Sequence, residues 1–223
     1  MGANPRSESD TAYRHWDALW GRGEGRADWS QPDPWVVDVV ASLTARNVRT
    51  VLDLGCGIGR HTVLLASRGF ACYALDLSGS GIAATQETVQ RAGLTVNFTV
   101  GGMHDLPYDT ASFDYVLAFN VVYHGDESAV GKTLAEVRRV LRPGGVYQST
   151  MLSKRNSEYG VGIEISPNTF QQPDAHDDKV HPHLYCDAHD LLRMHPDMEL
   201  LSATDRDQGR AGSAHWHCLF ETN

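Results

Sequence analysis

The sequence is poor in the features that mark membrane, secreted and nucleic-acid-binding proteins. It has no apolar run as long as a membrane span, and the N-terminal MGANPRSESD lacks the apolar core of a secretory signal. Basic side chains are few, with 19 Lys and Arg against 28 Asp and Glu and a net charge of −9. No basic cluster offsets this balance, so we expect neither a membrane nor a nucleic acid as partner.

Cysteine is scarce and histidine is not. The four cysteines lie far apart and form no CxxC pair, which predicts reduced thiols in a cytoplasmic protein. Seven of the eleven histidines fall in the last 48 residues, which makes the C-terminal part a candidate for chemistry.

Strand and helix patterns alternate from residue 49 onward. Strands are predicted over 49–54, 71–77, 94–100, 113–119 and 146–152, and helices over 60–69, 81–93 and 128–141. A segment of weak periodicity, 153–185, precedes a helix over 187–195 and two strands, 198–207 and 214–222. Before this alternation, 11–20 reads as an amphipathic helix and Pro34 begins another. Such alternation predicts an α/β fold around a parallel sheet.

The first strand runs into VLDLGCGIGRHT, which places Asp53, Gly55, Gly57 and Gly59 in one turn. Glycines at this density indicate a sharp turn or the close approach of a ligand. Asp76 ends the second strand, where a carboxylate can accept hydrogen bonds from a ribose diol. The G-x-G-x-G spacing differs from the G-x-G-x-x-G of dinucleotide-binding folds, which disfavours an NAD-dependent oxidoreductase.

These residues, together with HDLPYDTASFDYVL at 104–117 and LRPGG at 141–145, resemble the class I methyltransferases that use S-adenosylmethionine (SAM). The resemblance covers about residues 35–152 and the last strand pair. It implies a doubly wound, Rossmann-like sheet of seven strands, mostly parallel with an antiparallel last strand.

The resemblance also implies the cofactor site. Asp53 organises the glycine turn, Asp76 holds the ribose, and Asn120 lies near the methionine end. The full set of implied cofactor residues, including two from the N-terminal helix, is Tyr13, Trp16, Asp53, Gly55, Gly57, Gly59, Asp76, Leu77, Met103, His104 and Asn120. Many relatives carry an acid at the position of Gly102 that accepts from the adenine amino group. Gly102 cannot make this contact, and Asp105 is a candidate substitute, so the sequence does not specify which group makes it.

The implied reaction is in-line transfer of a methyl group from SAM to an oxygen, sulfur or nitrogen of a small molecule, releasing S-adenosylhomocysteine. We expect residues 1–34, with a glycine-rich hinge at 21–25, to form a helical lid over a domain of residues 35–223. The insertion 153–185 is expected to cover the substrate site. A non-catalytic sensor that binds SAM or S-adenosylhomocysteine is the alternative. The acceptor and the oligomeric state are not specified by the sequence.

Tyr123 and His124 follow the fourth strand and are candidate general bases. The motifs HPH at 181–183 and HWH at 215–217 each place two imidazoles on one face of a strand. His181, His183, His215 and His217 are therefore a candidate site for a divalent transition metal. The alternatives are that His183 and His215 act in the substrate pocket without a metal, as hydrogen-bond donors or a general base, or that some of these histidines are structural.

Overall fold

The structure, a computed structural model, describes residues 11–23 and 26–223. The first ten residues and two residues of the expected hinge, Glu24 and Gly25, lie outside this range, so the expectations for them stay predictions. No helix among the described residues is long and apolar enough to cross a membrane.

Six α-helices, three short 3₁₀ helices and ten strands make up the regular structure of the described residues. The helices are α1 (Tyr13–Arg22), α2 (Pro34–Leu43), α3 (Arg60–Ser67), α4 (Gly79–Arg91), α5 (Glu127–Val140) and α6 (Ala188–Met194). The strands are β1 (Thr50–Leu54), β2 (Ala71–Asp76), β3 (Val96–Val100), β4 (Phe113–Ala118), β5 (Leu141–Ser153), β6 (Ile163–Ser166), β7 (Thr169–Gln171), β8 (His183–Cys186), β9 (Met198–Asp207) and β10 (Ala214–Thr222).

The central sheet is mostly parallel, as predicted. Strands β3, β2, β1, β4 and β5 lie side by side and are parallel. Strand β10 pairs antiparallel with β5 from His215 opposite Leu152 to Glu221 opposite Val146, and β9 pairs antiparallel with β10. The mostly parallel sheet with an antiparallel last strand is confirmed, and strands β8, β7 and β6 extend the seven predicted strands to ten. The parallel strands end at one edge, where an open α/β sheet binds its ligands.

Alternation along β1 builds a core on both faces of the sheet. Val51 packs with residues of α2 and α3, whereas Leu52 and Leu54 pack with residues of α5 on the opposite face. These side chains are fully buried, as expected for a parallel strand covered on both sides.

The insertion 153–185 has regular structure that its weak periodicity did not indicate. Strands β6 and β7 form an antiparallel hairpin, and β8 pairs antiparallel with β7 and parallel with the end of β5. These strands have only four, three and four residues, and β8 is buried throughout, so each gives at most a weak strand signal. Because β8 joins β5 at Leu152 and Ser153, beyond the end of β4, the insertion returns over the ligand-binding edge.

His195, after α6, is a buried histidine that makes stability depend on pH. Its ring stacks on Phe220 at 4.0 Å, and its Nδ1 donates to the carbonyl of Leu191 at 2.7 Å. Burial lowers the pKa of His195 to about 4, below the 6.5 of an unfolded chain. The unfolded state therefore binds more protons between these values, and the contribution present above pH 6.5 is lost as pH falls toward 4.

We expect this group to account for a loss of about 2 kcal/mol in the free energy of unfolding between pH 7 and pH 5. In denaturant titrations, the free energy of unfolding of His195→Leu should fall correspondingly less between these pH values. The control is His189→Leu, at an exposed position of α6, which should follow the wild type. Parallel pH curves for wild type and His195→Leu would show that the group does not contribute.

Candidate active site

A cavity of about 500 Å³ lies at the carboxyl-terminal edge of the parallel strands. The turn after β1, the end of β2 and the residues after β3 and β4 line one side of it. Residues of α1, the insertion and the β9–β10 loop line the rest. The volume is within the range of small-molecule sites, and the two segments expected to cover the site both reach it.

The three glycines of the turn serve different needs. All three have positive φ angles, from 53° to 83°. A Cβ at Gly55 would lie 2.4 Å from the Val121 side chain, and one at Gly59 would lie 2.3 Å from Thr85. Gly57 faces the cavity, and a Cβ added there would lie 3.7 Å from the Trp20 ring. Gly55 and Gly57 line the cavity, whereas Gly59 lies outside it and permits α3 and α4 to approach.

Asp53 stabilises the turn from below. It is buried and accepts a hydrogen bond from the Thr62 hydroxyl at 2.6 Å. Burial raises the pKa of Asp53 to about 6, although the bond from Thr62 acts in the opposite direction. Asp53 is not among the residues that line the cavity, so the structure places it against α3.

Asp76 lines the cavity at the end of β2 and fixes both flanking loops. Its Oδ2 accepts from the amide of Gly57 at 2.8 Å, and its Oδ1 accepts from the amide of Ser78 at 2.8 Å. Burial raises the pKa of Asp76, while these amide donors favour its charged form. Each oxygen retains a second lone pair, so the carboxylate can still accept from a ligand diol.

Of the three residues expected around the adenine, two line the cavity and one does not. Leu77 and Met103 line the cavity, but His104 does not. The Nδ1 of His104 lies 2.9 Å from the hydroxyl of Thr133 on α5, so its side chain is directed to α5 and not to the cavity. That the backbone of His104 flanks the adenine stays a prediction. Gly102 also lines the cavity, and a Cβ there would meet nothing within 4 Å. The structure therefore has room for an acidic side chain at this position, although the sequence has glycine there.

Asn120, after β4, lines the cavity in a fixed orientation. Its φ is 59°, in the left-handed region that asparagine tolerates. The Asn120 amide donates to Thr150 Oγ1 at 2.8 Å, and the Thr150 hydroxyl donates back to Asn120 Oδ1 at 2.9 Å.

Aromatic rings of α1, with Trp29 from the 3₁₀ helix that follows, form one wall of the cavity, which we call the α1 wall. Tyr13 and Trp16 line the cavity, as do Trp20 and Trp29. Trp16 stacks on Trp20 with ring centroids 5.2 Å apart, and Trp29 packs edge-on against both rings. The same tryptophans therefore pack against each other and face the cavity.

Two polar contacts hold this wall in place. The Asp17 carboxylate accepts from the Ser78 hydroxyl at 2.8 Å and from the Ser80 amide at 3.0 Å, which joins α1 to the start of α4. Thr11 Oγ1 lies 2.8 Å from Nδ1 of His181, which joins the same segment to the insertion.

His124, Asp178 and His183 form a cluster beside the cavity. Asp178 Oδ2 lies 3.6 Å from His124 Nε2 and 3.3 Å from His183 Nε2. His124 and Asp178 line the cavity, whereas His183 is fully buried behind them. Burial lowers the pKa of His183 to about 4. Burial alone would raise the pKa of Asp178, but hydrogen bonds and the Lys179 ammonium, 3.0 Å from its Oδ1, hold it below its usual range.

Tyr123 and His215 complete the polar lining. Burial raises the pKa of Tyr123 well above its ordinary value, so it is a neutral phenol and not a phenolate base. His215 Nδ1 donates to the Ser213 carbonyl at 2.7 Å, which leaves Nε2 as the acceptor. Burial lowers the pKa of His215, so the ring is neutral at pH 7.

The four histidines proposed as metal ligands do not meet. Among the described residues, the group with ligand atoms within 4.8 Å of one another contains His183 but not the other three. His181 contacts Thr11, and His217 packs edge-on against Trp35 at 4.9 Å. Residues i and i+2 of a strand share a face but lie about 7 Å apart along it, so a shared face does not bring two imidazoles together.

Some residues that line the cavity gave no clear signal in the sequence. Arg60 lies between the rings of Trp29 and Phe119, 5.0 Å and 5.2 Å from their centroids. Asp178 lies in the acidic stretch DAHDDK just before the HPH motif, and that juxtaposition of carboxylates and imidazoles is the signal that could have identified it.

Comparison with known proteins agrees with this geometry. Residues 51–145 match the family described as methyltransferase domain. An uncharacterized methyltransferase of Synechocystis sp. is 29% identical over 138 residues, which cover 53% of this chain and 63% of that protein. Norajmaline N-methyltransferase of Rauvolfia serpentina is 30% identical over 115 residues, which cover 50% and 39%. The chain thus spans less than two thirds of the length of these relatives.

Solved structures share the fold over the whole chain. The 1,6-didemethyltoxoflavin-N1-methyltransferase of Burkholderia thailandensis, solved with 1,6-didemethyltoxoflavin and S-adenosylhomocysteine, superposes with a TM-score of 0.73. It is 19% identical, and the alignment covers 100% of this chain and 93% of that one. The sheet order agrees with this shared fold, and residues 51–145 match the methyltransferase domain family.

Proposed function

We propose that this protein transfers a methyl group from SAM to a small-molecule acceptor. The observation that carries the proposal is a single cavity with two kinds of lining. One side has the glycine turn and the Asp76 carboxylate, and the other has imidazole, phenol and carboxylate groups. We call the first side the cofactor half, defined by Gly55, Gly57, Asp76, Leu77 and Met103. The second is the acceptor half, defined by Tyr123, His124, Asp178 and His215.

The cofactor half suits an adenosine with a charged sulfonium tail. Asp76 would accept from the two ribose hydroxyls, and Leu77 and Met103 would enclose the adenine. Gly57 would let the backbone approach the amino-acid part, with Asn120 beside the methionine end. SAM-binding structural relatives, one of them solved with S-adenosylhomocysteine, support this assignment.

In the acceptor half, His215 is the best placed general base. Its Nδ1 proton is held by the Ser213 carbonyl, so Nε2 presents a lone pair beside the cavity. The acceptor would lose its proton to this nitrogen as its own lone pair attacks the methyl carbon. The methyl–sulfur bond breaks with its electron pair going to sulfur, which gives neutral S-adenosylhomocysteine. Holding the two reactants in line is the main contribution of such a site.

The size of the acceptor follows from the walls. Aromatic rings of α1, the insertion and the β9–β10 loop surround the cavity, and its volume of about 500 Å³ leaves room for a small molecule only. Relatives whose names state an acceptor act on small organic molecules, such as norajmaline or 27-O-demethylrifamycin SV. These names differ in the atom that is methylated. The proposal therefore names small molecules as the class of acceptor and does not specify the atom.

We infer that α1 is a lid, as the sequence predicted for residues 1–34, and that the insertion covers the acceptor. The support is that α1 is joined to α4 by Asp17 and to the insertion by Thr11, while its aromatic face lines the cavity. Asp17→Ala should weaken SAM binding by about threefold to tenfold, since a side-chain hydrogen bond contributes about 1 kcal/mol. Stopped-flow tryptophan fluorescence should show faster cofactor release. Asp38→Ala, on the exposed face of α2, is the control. Unchanged affinity and release in Asp17→Ala would show that α1 only packs against the domain.

The function is tested by mass spectrometry of a panel of thiol, hydroxyl and amine acceptors incubated with the full chain and methyl-deuterated SAM. The expected result is a deuteromethyl product that is lost in His215→Gln while SAM binding is retained. Binding of SAM with no transfer to any acceptor class, and no product after a metabolite extract is added, would favour the alternative of a SAM sensor.

A further inference from the structure

In the cluster of His124, Asp178 and His183, one carboxylate oxygen faces two imidazole nitrogens. The carbonyl of His181 accepts a hydrogen bond at 2.8 Å from Nδ1 of His183, so the single proton of a neutral His183 is on Nδ1. Its Nε2 is then a lone pair, yet it points at the carboxylate oxygen of Asp178 from 3.3 Å. Two acceptors at this distance repel unless a positive charge lies between them.

The remaining contacts of the cluster leave one oxygen of Asp178 to the two imidazoles. His183, which faces this oxygen, is fully buried. Lys179 donates to the other carboxylate oxygen, Oδ1, at 3.0 Å, and leaves Oδ2 to the histidines. The Nε2 of His124 is buried, makes no hydrogen bond and also faces Oδ2, from 3.6 Å.

We propose that His124 Nε2, Asp178 Oδ2 and His183 Nε2 bind a divalent transition-metal ion of the Zn²⁺ type. Four ligand atoms arranged tetrahedrally at 2.0–2.1 Å from Zn²⁺ lie about 3.4 Å apart, close to the two distances observed here. Two imidazoles and one carboxylate favour such an ion over Mg²⁺ or Ca²⁺, which prefer oxygen ligands.

The surroundings of His183 are those of a metal-bound histidine. A ligating imidazole typically donates its other N–H to a backbone carbonyl, which fixes its orientation, and the His181 carbonyl does this here. The ligands come from separate segments that the fold brings together. An isolated β-bridge joins His124 to His183, and Asp178 belongs to a short 3₁₀ helix five residues before His183.

The open side of this site faces the acceptor. His124 and Asp178 line the cavity while His183 lies behind them, so a fourth position would open into the acceptor half. Three protein ligands and an open position are the pattern of catalytic zinc. This role rests on the proposed function. An acceptor hydroxyl or thiol bound there would release its proton to His215 Nε2 and attack the methyl carbon as the anion, with the sulfonium electron pair returning to sulfur.

Metal binding is tested first without SAM or acceptor, so that its outcome does not depend on the proposed function. Protein purified without a histidine tag is stripped with a chelator and titrated with Zn²⁺ by calorimetry against a competing chelator. We expect one ion per chain, and the visible absorption of four-coordinate Co²⁺ when Co²⁺ replaces Zn²⁺. His183→Gln and Asp178→Asn should weaken Zn²⁺ binding by about 100-fold or more.

Two controls separate loss of the site from loss of the fold. His217→Gln removes a buried histidine outside the cluster and should bind Zn²⁺ as the wild type does. His124→Gln changes the ligand at the cavity wall, and circular dichroism and SAM binding should confirm that each variant is folded. Wild-type Zn²⁺ affinity equal to that of folded Asp178→Asn or His124→Gln would overturn the proposal.

The catalytic role is tested with the acceptor panel. Stripped and Zn²⁺-loaded protein should bind SAM equally, whereas transfer to hydroxyl or thiol acceptors should fall at least tenfold in the stripped protein and return on reloading. Equal transfer by both forms would overturn the role in acceptor activation.

Discussion

Gly55→Ala is expected to unfold at a markedly lower temperature than the wild type and to lose measurable SAM binding. The added Cβ would lie 2.4 Å from Val121 Cγ2 and 2.7 Å from its Cβ, so the loop after β4 must move. The φ of +70° at Gly55 adds strain of about 1–2 kcal/mol for any L side chain. Overpacking typically adds 1–3 kcal/mol, which gives a total of roughly 2–5 kcal/mol.

A matched variant separates these two causes. Gly69 has a φ of +84° but nothing within 4 Å of an added Cβ, so Gly69→Ala reports the backbone strain alone. The double variant Gly55→Ala, Val121→Ala should recover part of the loss, since it removes two of the three clashing atoms. Differential scanning calorimetry and SAM titration measure both effects. Equal losses in Gly55→Ala and Gly69→Ala would contradict the close approach of the two loops.

Asp76→Ala is expected to weaken SAM binding by about 10- to 150-fold, because a hydrogen bond to a charged group contributes about 1.5–3 kcal/mol. The substitution also removes the acceptor for the amides of Gly57 and Ser78, so the turn that faces the cofactor loses its support. Asp76→Asn keeps an oxygen acceptor without the charge, so its SAM affinity should lie between those of the wild type and Asp76→Ala. Calorimetric titration measures the affinities, with Asp38→Ala as the control for removal of an exposed carboxylate. SAM affinity in Asp76→Ala equal to that of the wild type would remove Asp76 from the cofactor site.

Features that depend on local sequence could be predicted. The strand–helix alternation, the glycine turn and the acid at the end of β2 each occupy a short continuous stretch, and a mostly parallel sheet then follows from fold rules. The identity of Asp76 as a cavity residue belongs to this group, because the end of β2 is adjacent to the end of β1.

Features that depend on tertiary contacts could not be predicted from the sequence. His104 turns away because its partner, Thr133, is 29 residues distant on α5. The approach of Asp178 to His124 depends on β8 pairing with the end of β5, and strands of three or four residues give no periodicity to find. The pattern of paired histidines suggested a shared strand face, which holds for His215 and His217 on β10 but not for His181, which precedes β8. Only the fold decides which imidazole meets which carboxylate.

The central claim is that the glycine turn and Asp76 form a site for SAM and not for a dinucleotide. Calorimetric titration of the full chain with S-adenosylhomocysteine, and separately with NAD⁺, tests it most directly. The account predicts one molecule of S-adenosylhomocysteine bound per chain and no binding of NAD⁺. Binding of NAD⁺ in competition with S-adenosylhomocysteine, or no binding of S-adenosylhomocysteine to the folded chain, would contradict it.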